Sequence, residues 1–135
     1  MNIIKIVGVI IKDGQYLVAR DKDEDFFKNV GGRKSSEETD LECLKRELFE
    51  EINFELKEDS ELIFDLPPTP ALGDLGQNVV LRGYLVSKNK NIIIMPKGNT
   101  AELAWIDTNN KKNYKLTPQI TDLIIPKLCE LGFIK

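Results

Sequence analysis

Residues 32–54, GRKSSEETDLECLKRELFEEINF, predict a turn followed by one amphipathic helix. Thr39 followed three residues later by Glu42 is a capping box, which predicts a helix that begins near Asp40. The helix should end at Asn53, because the residue after a helix is often left-handed and Asn tolerates that conformation best after Gly. Within this stretch six residues stand at intervals that bear on function: Gly32, Glu38, Arg46, Glu47, Glu50 and Glu51.

One face of the predicted helix is apolar. Its residues recur at helical spacing, which favours burial against a sheet; they are Leu41, Leu44, Leu48 and Ile52. We also expect Glu42 and Arg46 to form an i,i+4 ion pair on the helix surface.

An adjoining face of the helix is acidic. At 3.6 residues per turn, Glu47, Glu50 and Glu51 fall within an arc of roughly 100°. Like charges at these spacings each cost roughly 0.2–0.5 kcal/mol, so the cluster needs a compensating cation that Lys45 and Arg46 supply only in part. A hard divalent ion such as Mg²⁺ takes carboxylate oxygens and the phosphates of a substrate as ligands. The alternative interpretation is a solvated acidic surface.

The spacing resembles the Nudix box of the Nudix hydrolases, G-x5-E-x7-R-E-U-x-E-E-x-G-U with U apolar, and Asn53 stands where the family has Gly. The resemblance implies an α/β fold, a Nudix-like α/β/α sandwich with a mixed β-sheet. It also implies a metal-dependent hydrolase that cleaves the pyrophosphate of a nucleoside diphosphate linked to another moiety. Such an enzyme acts on acid anhydrides in phosphorus-containing substrates and uses Mg²⁺ or Mn²⁺ as its cofactor.

The resemblance also implies roles for individual residues. Glu47 would act as general base and metal ligand, with Glu50 and Glu51 as further ligands, and Arg46 would orient these carboxylates. The glycine pair Gly31-Gly32 at the start of the box permits a sharp turn, and the Gly31 carbonyl would be an additional ligand. Glu102, three residues before Trp105, lies where family members often carry another metal-binding or catalytic Glu; the alternative is a solvated loop residue.

Two other function classes stay open. A Nudix-like module could bind a nucleotide or sugar phosphate as a sensor without hydrolysing it, although none of the box acids is missing here. An RNA-binding or scaffolding domain is disfavoured, since a net charge of -3 and a pI near 5.1 offer no basic surface for a nucleic-acid backbone.

Composition predicts a single domain over residues 1–135, because this length with 41% hydrophobic residues supports one core. The expected partner is a small nucleoside-diphosphate-type molecule, with no nucleic acid and no membrane. The apolar N-terminus, interrupted by Lys5 and Lys12, predicts a buried strand and not a membrane span, so we expect a cytoplasmic protein. Cys43 and Cys129 should be buried thiols. The oligomeric state is open, and a homodimer is one of the alternatives.

The other elements are predicted from alternation and turn signals. Ile3 to Ile11 and Gln15 to Arg20 should form a central β-hairpin, and a helix should open at Thr117-Pro118 and kink at Pro126. Pro67 to Gly76 should be one long loop. The remaining predicted strands are Leu62 to Leu66, Val79 to Val86, Ile92 to Met95 and Leu103 to Ile106.

Overall fold

The structure is a computed structural model that describes residues 2–70 and 76–135. Its elements, in chain order, are β1 (Asn2–Lys12), β2 (Gln15–Asp21), β3 (Lys28–Asn29), β4 (Gly31–Arg33), α1 (Asp40–Ile52), β5 (Glu61–Asp65), β6 (Thr69–Pro70), β7 (Asn78–Ser87), β8 (Thr100–Ile106), a 3₁₀ turn (Lys111–Asn113), a π-helical turn (Ile120–Ile124) and α2 (Ile125–Glu130). None of the described helices is long and apolar enough to cross a membrane.

The described strands form one mixed sheet with the order β3-β2-β1-β7-β5. β1 and β7 are parallel, while β4 pairs with β1, and β8 with β2, in antiparallel register. The predicted hairpin is confirmed: Asp13 and Gly14 both have positive φ, 51° and 75°, which suits a two-residue turn between twisted strands. The strands predicted at Val79 to Val86 and Leu103 to Ile106 lie within β7 and β8, and the one predicted at Leu62 to Leu66 matches β5 except for Leu66.

Helices cover both faces of the sheet, which confirms the α/β layering. Along β1, Ile4, Ile6 and Ile10 pack with α1, because alternate side chains of a strand point to opposite faces. Ile3 and Val7 point the other way and pack with the C-terminal helical segment. The sheet is therefore buried on both sides, and the edge of the short strand β4 lies beside α1.

Helix α1 has the predicted ends. Thr39 Oγ1 accepts a hydrogen bond from the Glu42 N–H at 3.1 Å, and the Glu42 carboxylate accepts one from the Thr39 N–H at 2.8 Å. Asn53 is left-handed, with φ 53° and ψ 36°, and its N–H donates to the Leu48 carbonyl. Leu44, Leu48 and Ile52 are fully buried and Leu41 is partly buried, so the apolar face packs as predicted.

The predicted strand Ile92 to Met95 is wrong, because the segment is not part of the sheet. Its backbone instead completes the end of α1: the N–H of Met95 donates to the Ile52 carbonyl at 3.1 Å, and that of Lys97 to the Glu51 carbonyl at 3.0 Å. These carbonyls belong to the last turn of the helix and have no hydrogen-bond donor within it, so the N–H groups of the neighbouring segment bind them instead.

Three further expectations are adjusted. The loop Pro67 to Gly76 contains strand β6, and its residues 71–75 lie outside the described residues. Cys43 is buried as predicted, but Cys129 is only half-buried.

A kink was predicted at Pro126. The structure has a π-helical turn directly upstream of this residue, in which the Ile125 N–H donates a hydrogen bond to the Ile120 carbonyl. Proline has no N–H and its ring crowds the carbonyl four residues earlier, which favours a widened turn.

Candidate active site

Arg46 contacts three acidic residues of the box. Its guanidinium donates to Glu38 at 2.7 and 3.3 Å and to Glu47 at 2.9 Å, and it lies 3.7 Å from Glu50. Arg46 lowers the pKa of Glu38 to about 2, and the Glu38 carboxylate in turn accepts from the Ser35 N–H. The prediction of an ion pair between Glu42 and Arg46 is wrong. The Glu42 carboxylate caps the helix, and the Arg46 guanidinium instead binds Glu38 in the preceding loop.

Glu47 is held against the backbone of β4. Its side chain is only 14% exposed, and a Cβ atom added at Gly32 would lie 2.5 Å from the Glu47 Oε1 atom. Glycine at position 32 therefore leaves the space that the carboxylate occupies. Burial raises the pKa of Glu47, although its hydrogen bond with Arg46 opposes the shift.

Glu51 is half-buried beside the same strand. Its carboxylate accepts a hydrogen bond from the Gly31 N–H at 2.8 Å. Burial raises the pKa of Glu51 to about 8, the Gly31 N–H opposes that rise, and the negative charge of Glu47 adds to it. Gly31 has φ 124° and lies so close to β1 that a Cβ would overlap the Ile6 carbonyl. Glu50 is 56% exposed at the outer side of this cluster.

The donor set suits a hard divalent cation. Within residues 2–70 and 76–135, no three acidic, cysteine or histidine side chains are close enough together to enclose a metal ion. Arg46 contacts both Glu47 and Glu50 in this arrangement. The ligand chemistry is nevertheless of the right kind, since it consists of carboxylates and exposed backbone in a glycine-lined recess. The raised pKa values of Glu47 and Glu51 indicate that protein groups compensate their charge incompletely.

Glu102 lies apart from this cluster. It is on β8, directly opposite Arg20 of β2, and its carboxylate accepts a hydrogen bond from Arg20 Nε at 3.1 Å. Its side chain is 54% exposed and does not line the cleft next to Glu47 and Glu51. The segment before β8 does reach α1, through the Lys97 N–H bond to the Glu51 carbonyl.

A cleft of about 320 Å³ opens beside the acidic cluster. Glu47 and Glu51 form one wall together with Gly31 and Gly32. The other lining residues come from β1, β3, β4, β7 and the C-terminal segment; the polar ones are Lys5, Lys28, Asn29, Arg33 and Gln119. These polar residues were not predicted, although a lysine inside the apolar run Ile3 to Ile11 was a usable signal.

Comparison with known proteins identifies both the family and the fold. Residues 3–124 match the NUDIX domain family. The fold is similar to that of the E. coli ORF135 protein, with a TM-score of 0.75 and 21% identity over 97% of this chain and 91% of that one. The MutT protein from Methanosarcina mazei Go1 also has a TM-score of 0.75, with 14% identity over 96% and 95% of the two chains.

A third similar structure is a larger protein. It is the bifunctional NMN adenylyltransferase/ADP ribose pyrophosphatase from Francisella tularensis, which gives a TM-score of 0.68 at 21% identity. The match covers 96% of this chain but 41% of that one. Identities this low establish a shared fold and not a shared substrate. The comparison with curated proteins gives no significant match.

Proposed function

Because this chain belongs to the Nudix hydrolase family, whose members are generally pyrophosphohydrolases, we propose that it hydrolyses the pyrophosphate of a nucleoside diphosphate linked to another group, with Mg²⁺ or Mn²⁺ as cofactor. The observation that carries the proposal is the pair of half-buried carboxylates, Glu47 and Glu51, held against the Gly31-Gly32 backbone at the cleft.

The metal would be held by Glu47, Glu50 and Glu51, with the Gly31 carbonyl as a further ligand. When bound, a divalent ion neutralises phosphate charge and activates water. To act as a ligand, the exposed Glu50 side chain would have to leave its contact with Arg46. Glu102 would join the site only if its carboxylate left Arg20.

Protein groups supply the positioning. Two hydrogen bonds to Glu38 fix the Arg46 guanidinium. A third hydrogen bond, from Arg46 to Glu47, holds the Glu47 carboxylate at the wall of the cleft. Burial raises the pKa of Glu47, which makes its carboxylate a stronger base for the attacking water. Phosphoryl chemistry depends mainly on such positioning and on charge stabilisation. Arg46 is therefore a positioning residue, and Glu47 is the proposed base.

The test is a panel of oxidised nucleoside triphosphates, ADP-ribose, nucleotide sugars and dinucleoside polyphosphates, assayed with Mg²⁺ or Mn²⁺ and scored by product identity. We expect turnover of at least one compound, and we expect the variant Glu47→Gln to lose it. Tight binding of a compound without turnover under all metal conditions would instead indicate the sensing module.

A further inference from the structure

Residues 92–99, which we call the strap, lie across the end of helix α1. The Met95 N–H donates to the Ile52 carbonyl at 3.1 Å, and the Lys97 N–H donates to the Glu51 carbonyl at 3.0 Å. The last four carbonyls of a helix have no donor within it, and helix ends fray unless other groups bind them. The strap therefore supplies hydrogen-bond donors to the helical turn that carries part of the acidic cluster.

The end of α1 is unfavourable by its own sequence. The structure describes every residue of this helix, and its last turn contains no basic residue. The C-terminal end of a helix dipole is negative, so cations are stabilising there and anions are not. The last two turns nevertheless carry Glu47, Glu50 and Glu51, which also repel one another. Holding these carboxylates together at this end of the helix requires support from outside it.

Lys97 of the strap brings a cation to this helix end. Its Nζ atom lies 3.2 Å from the centroid of the Phe49 ring, which is within the range of a cation–π interaction. The Phe49 side chain is 50% exposed on the outer side of α1, so burial in the core does not account for an aromatic residue there. The contact joins the strap to the last turn of α1 by a side chain as well as by the backbone.

The far end of the strap is fixed in the sheet. The Asn99 carbonyl accepts a hydrogen bond from the Lys22 N–H at 3.0 Å, directly after β2. The Thr100 N–H donates to the Lys97 carbonyl at 3.0 Å, and Thr100 begins strand β8 and is 4% exposed. Because the strap is held by the sheet and binds the helix end, it fixes the last turn of α1 relative to the sheet.

We propose that the strap positions the metal-binding carboxylates: its contacts hold the last turn of α1 in the geometry in which Glu50 and Glu51 bind one divalent cation. Lys97 and Phe49 are its positioning residues. The inference rests on the proposed function for the identity of the cation site, but it is measurable without turnover. Coupling between two sites is reciprocal, so a strap that favours metal binding must itself be bound more tightly when the metal is present. A strap that serves only the fold does not respond to Mg²⁺.

Amide hydrogen exchange measured by NMR tests this coupling. The Met95 and Lys97 N–H groups bind carbonyls of α1, so their exchange rates report how often the strap leaves the helix. Saturating Mg²⁺ should slow both rates about 5-fold or more relative to protein in EDTA at equal ionic strength, which is the lower end of typical coupling between sites. The Gly132 N–H, which binds the Cys129 carbonyl, is the control and should exchange at an unchanged rate. Equal Met95 and Lys97 rates with and without Mg²⁺, on protein shown by calorimetry to bind it, would overturn the proposal.

A side-chain variant tests the contact between strap and helix without changing any charge. Phe49→Leu removes the ring beneath Lys97 and keeps a good helix former, and it should weaken Mn²⁺ binding in calorimetry about 2–5-fold, as loss of an exposed cation–π contact predicts. Lys97→Arg should keep the wild-type affinity, because arginine also stacks on aromatic rings. The control is Lys88→Gln, which removes the cation 6.0 Å from the Phe133 ring on the sheet face away from α1. It should bind Mn²⁺ like the wild type.

Two glycine variants form a second matched pair. Gly98 and Gly132 have positive φ, 61° and 84°, so alanine is strained at both. At Gly98 the added Cβ would lie 3.2 Å from the Glu50 carbonyl oxygen, whereas nothing lies within 4 Å of it at Gly132. Gly98→Ala should therefore push the strap from the helix and weaken Mn²⁺ binding about 2-fold or more, while Gly132→Ala keeps the wild-type affinity.

The outcomes separate this proposal from the proposed function. Mn²⁺ affinities of Phe49→Leu and Gly98→Ala equal to those of their controls would show that the strap serves only the fold, even if the protein hydrolyses a pyrophosphate. If Gly98→Ala does not fold, Phe49→Leu alone decides. Mg²⁺-dependent protection of the Met95 and Lys97 amides, with no turnover of any compound, would uphold the role of the strap and overturn the proposed hydrolase.

Discussion

Replacing Gly32 by alanine tests whether the position of the Glu47 carboxylate controls catalysis. The added Cβ would lie 2.5 Å from Glu47 Oε1, 2.6 Å from its Cδ and 2.8 Å from Oε2. The carboxylate must then move by about 1 Å to reach an ordinary van der Waals separation, and its 2.9 Å hydrogen bond with Arg46 is lost or distorted. A displacement of this size costs roughly 100-fold in rate when a reacting group is misplaced.

The fold should survive Gly32→Ala. The backbone at Gly32 is not in the left-handed region, and the atoms that must move are the end of a flexible side chain. We expect a change of no more than about 1 kcal/mol in the free energy of unfolding. The assay is kcat/KM on any compound that the wild type hydrolyses with Mg²⁺, together with thermal unfolding.

Gly31→Ala is the matched contrast. There a Cβ would overlap the Ile6 carbonyl of β1, and φ of 124° is strained for any residue with a side chain. Strain and overpacking together should cost about 3 kcal/mol or more. If Gly32→Ala keeps wild-type kcat/KM, the assigned role of the Glu47 position is refuted. If Gly32→Ala unfolds as readily as Gly31→Ala, the glycine serves the fold and not the site.

Three other perturbations have defined outcomes. Excess EDTA should abolish turnover and added Mg²⁺ restore it; full activity on protein verified as metal-free would remove the basis for a metal site. Glu50→Gln and Glu51→Gln should each lower turnover by about 100-fold or more without lowering the melting temperature, since each relieves repulsion from Glu47, whereas the exposed control Glu55→Gln should change turnover little. Asn53→Gly should stabilise the protein by about 0.5–1 kcal/mol in thermal unfolding, because φ is 53° there; a clear fall in melting temperature would mean that the Asn53 side chain contributes a contact that glycine lacks.

Interactions between neighbours in the chain set helix α1 and the register of the box along it, so both were predictable from the sequence. Both ends of the helix depend on neighbours in the chain: Thr39 and Glu42 satisfy each other's N–H groups, and Asn53 adopts a conformation that its own side chain tolerates. The acidic face follows from helical geometry alone. The β1–β2 hairpin was predictable for the same reason, since its two-residue turn is set by Asp13 and Gly14.

Tertiary structure decided which groups those residues meet. Arg46 pairs with Glu38 and not with Glu42, because the loop before α1 folds back toward the helix and offers a bidentate partner. The segment Ile92 to Met95 has a strand-like composition, yet it binds the free carbonyls at the end of α1 and does not join the sheet. In both cases a hydrogen-bond partner supplied by the tertiary structure determines the contact, and not the spacing or composition of the segment itself.

The cleft itself depends on strand register. Gly32 faces Glu47, and Lys5 faces Arg33, only because β4 pairs with β1 at one alignment and α1 packs across its edge. A shift of one residue would exchange the faces on which these side chains lie. Sequence periodicity assigns residues to faces of a single element, whereas the alignment between elements is set by packing of the whole core. That packing brings the carboxylates of α1 and the paired strands β1 and β4 to one cleft.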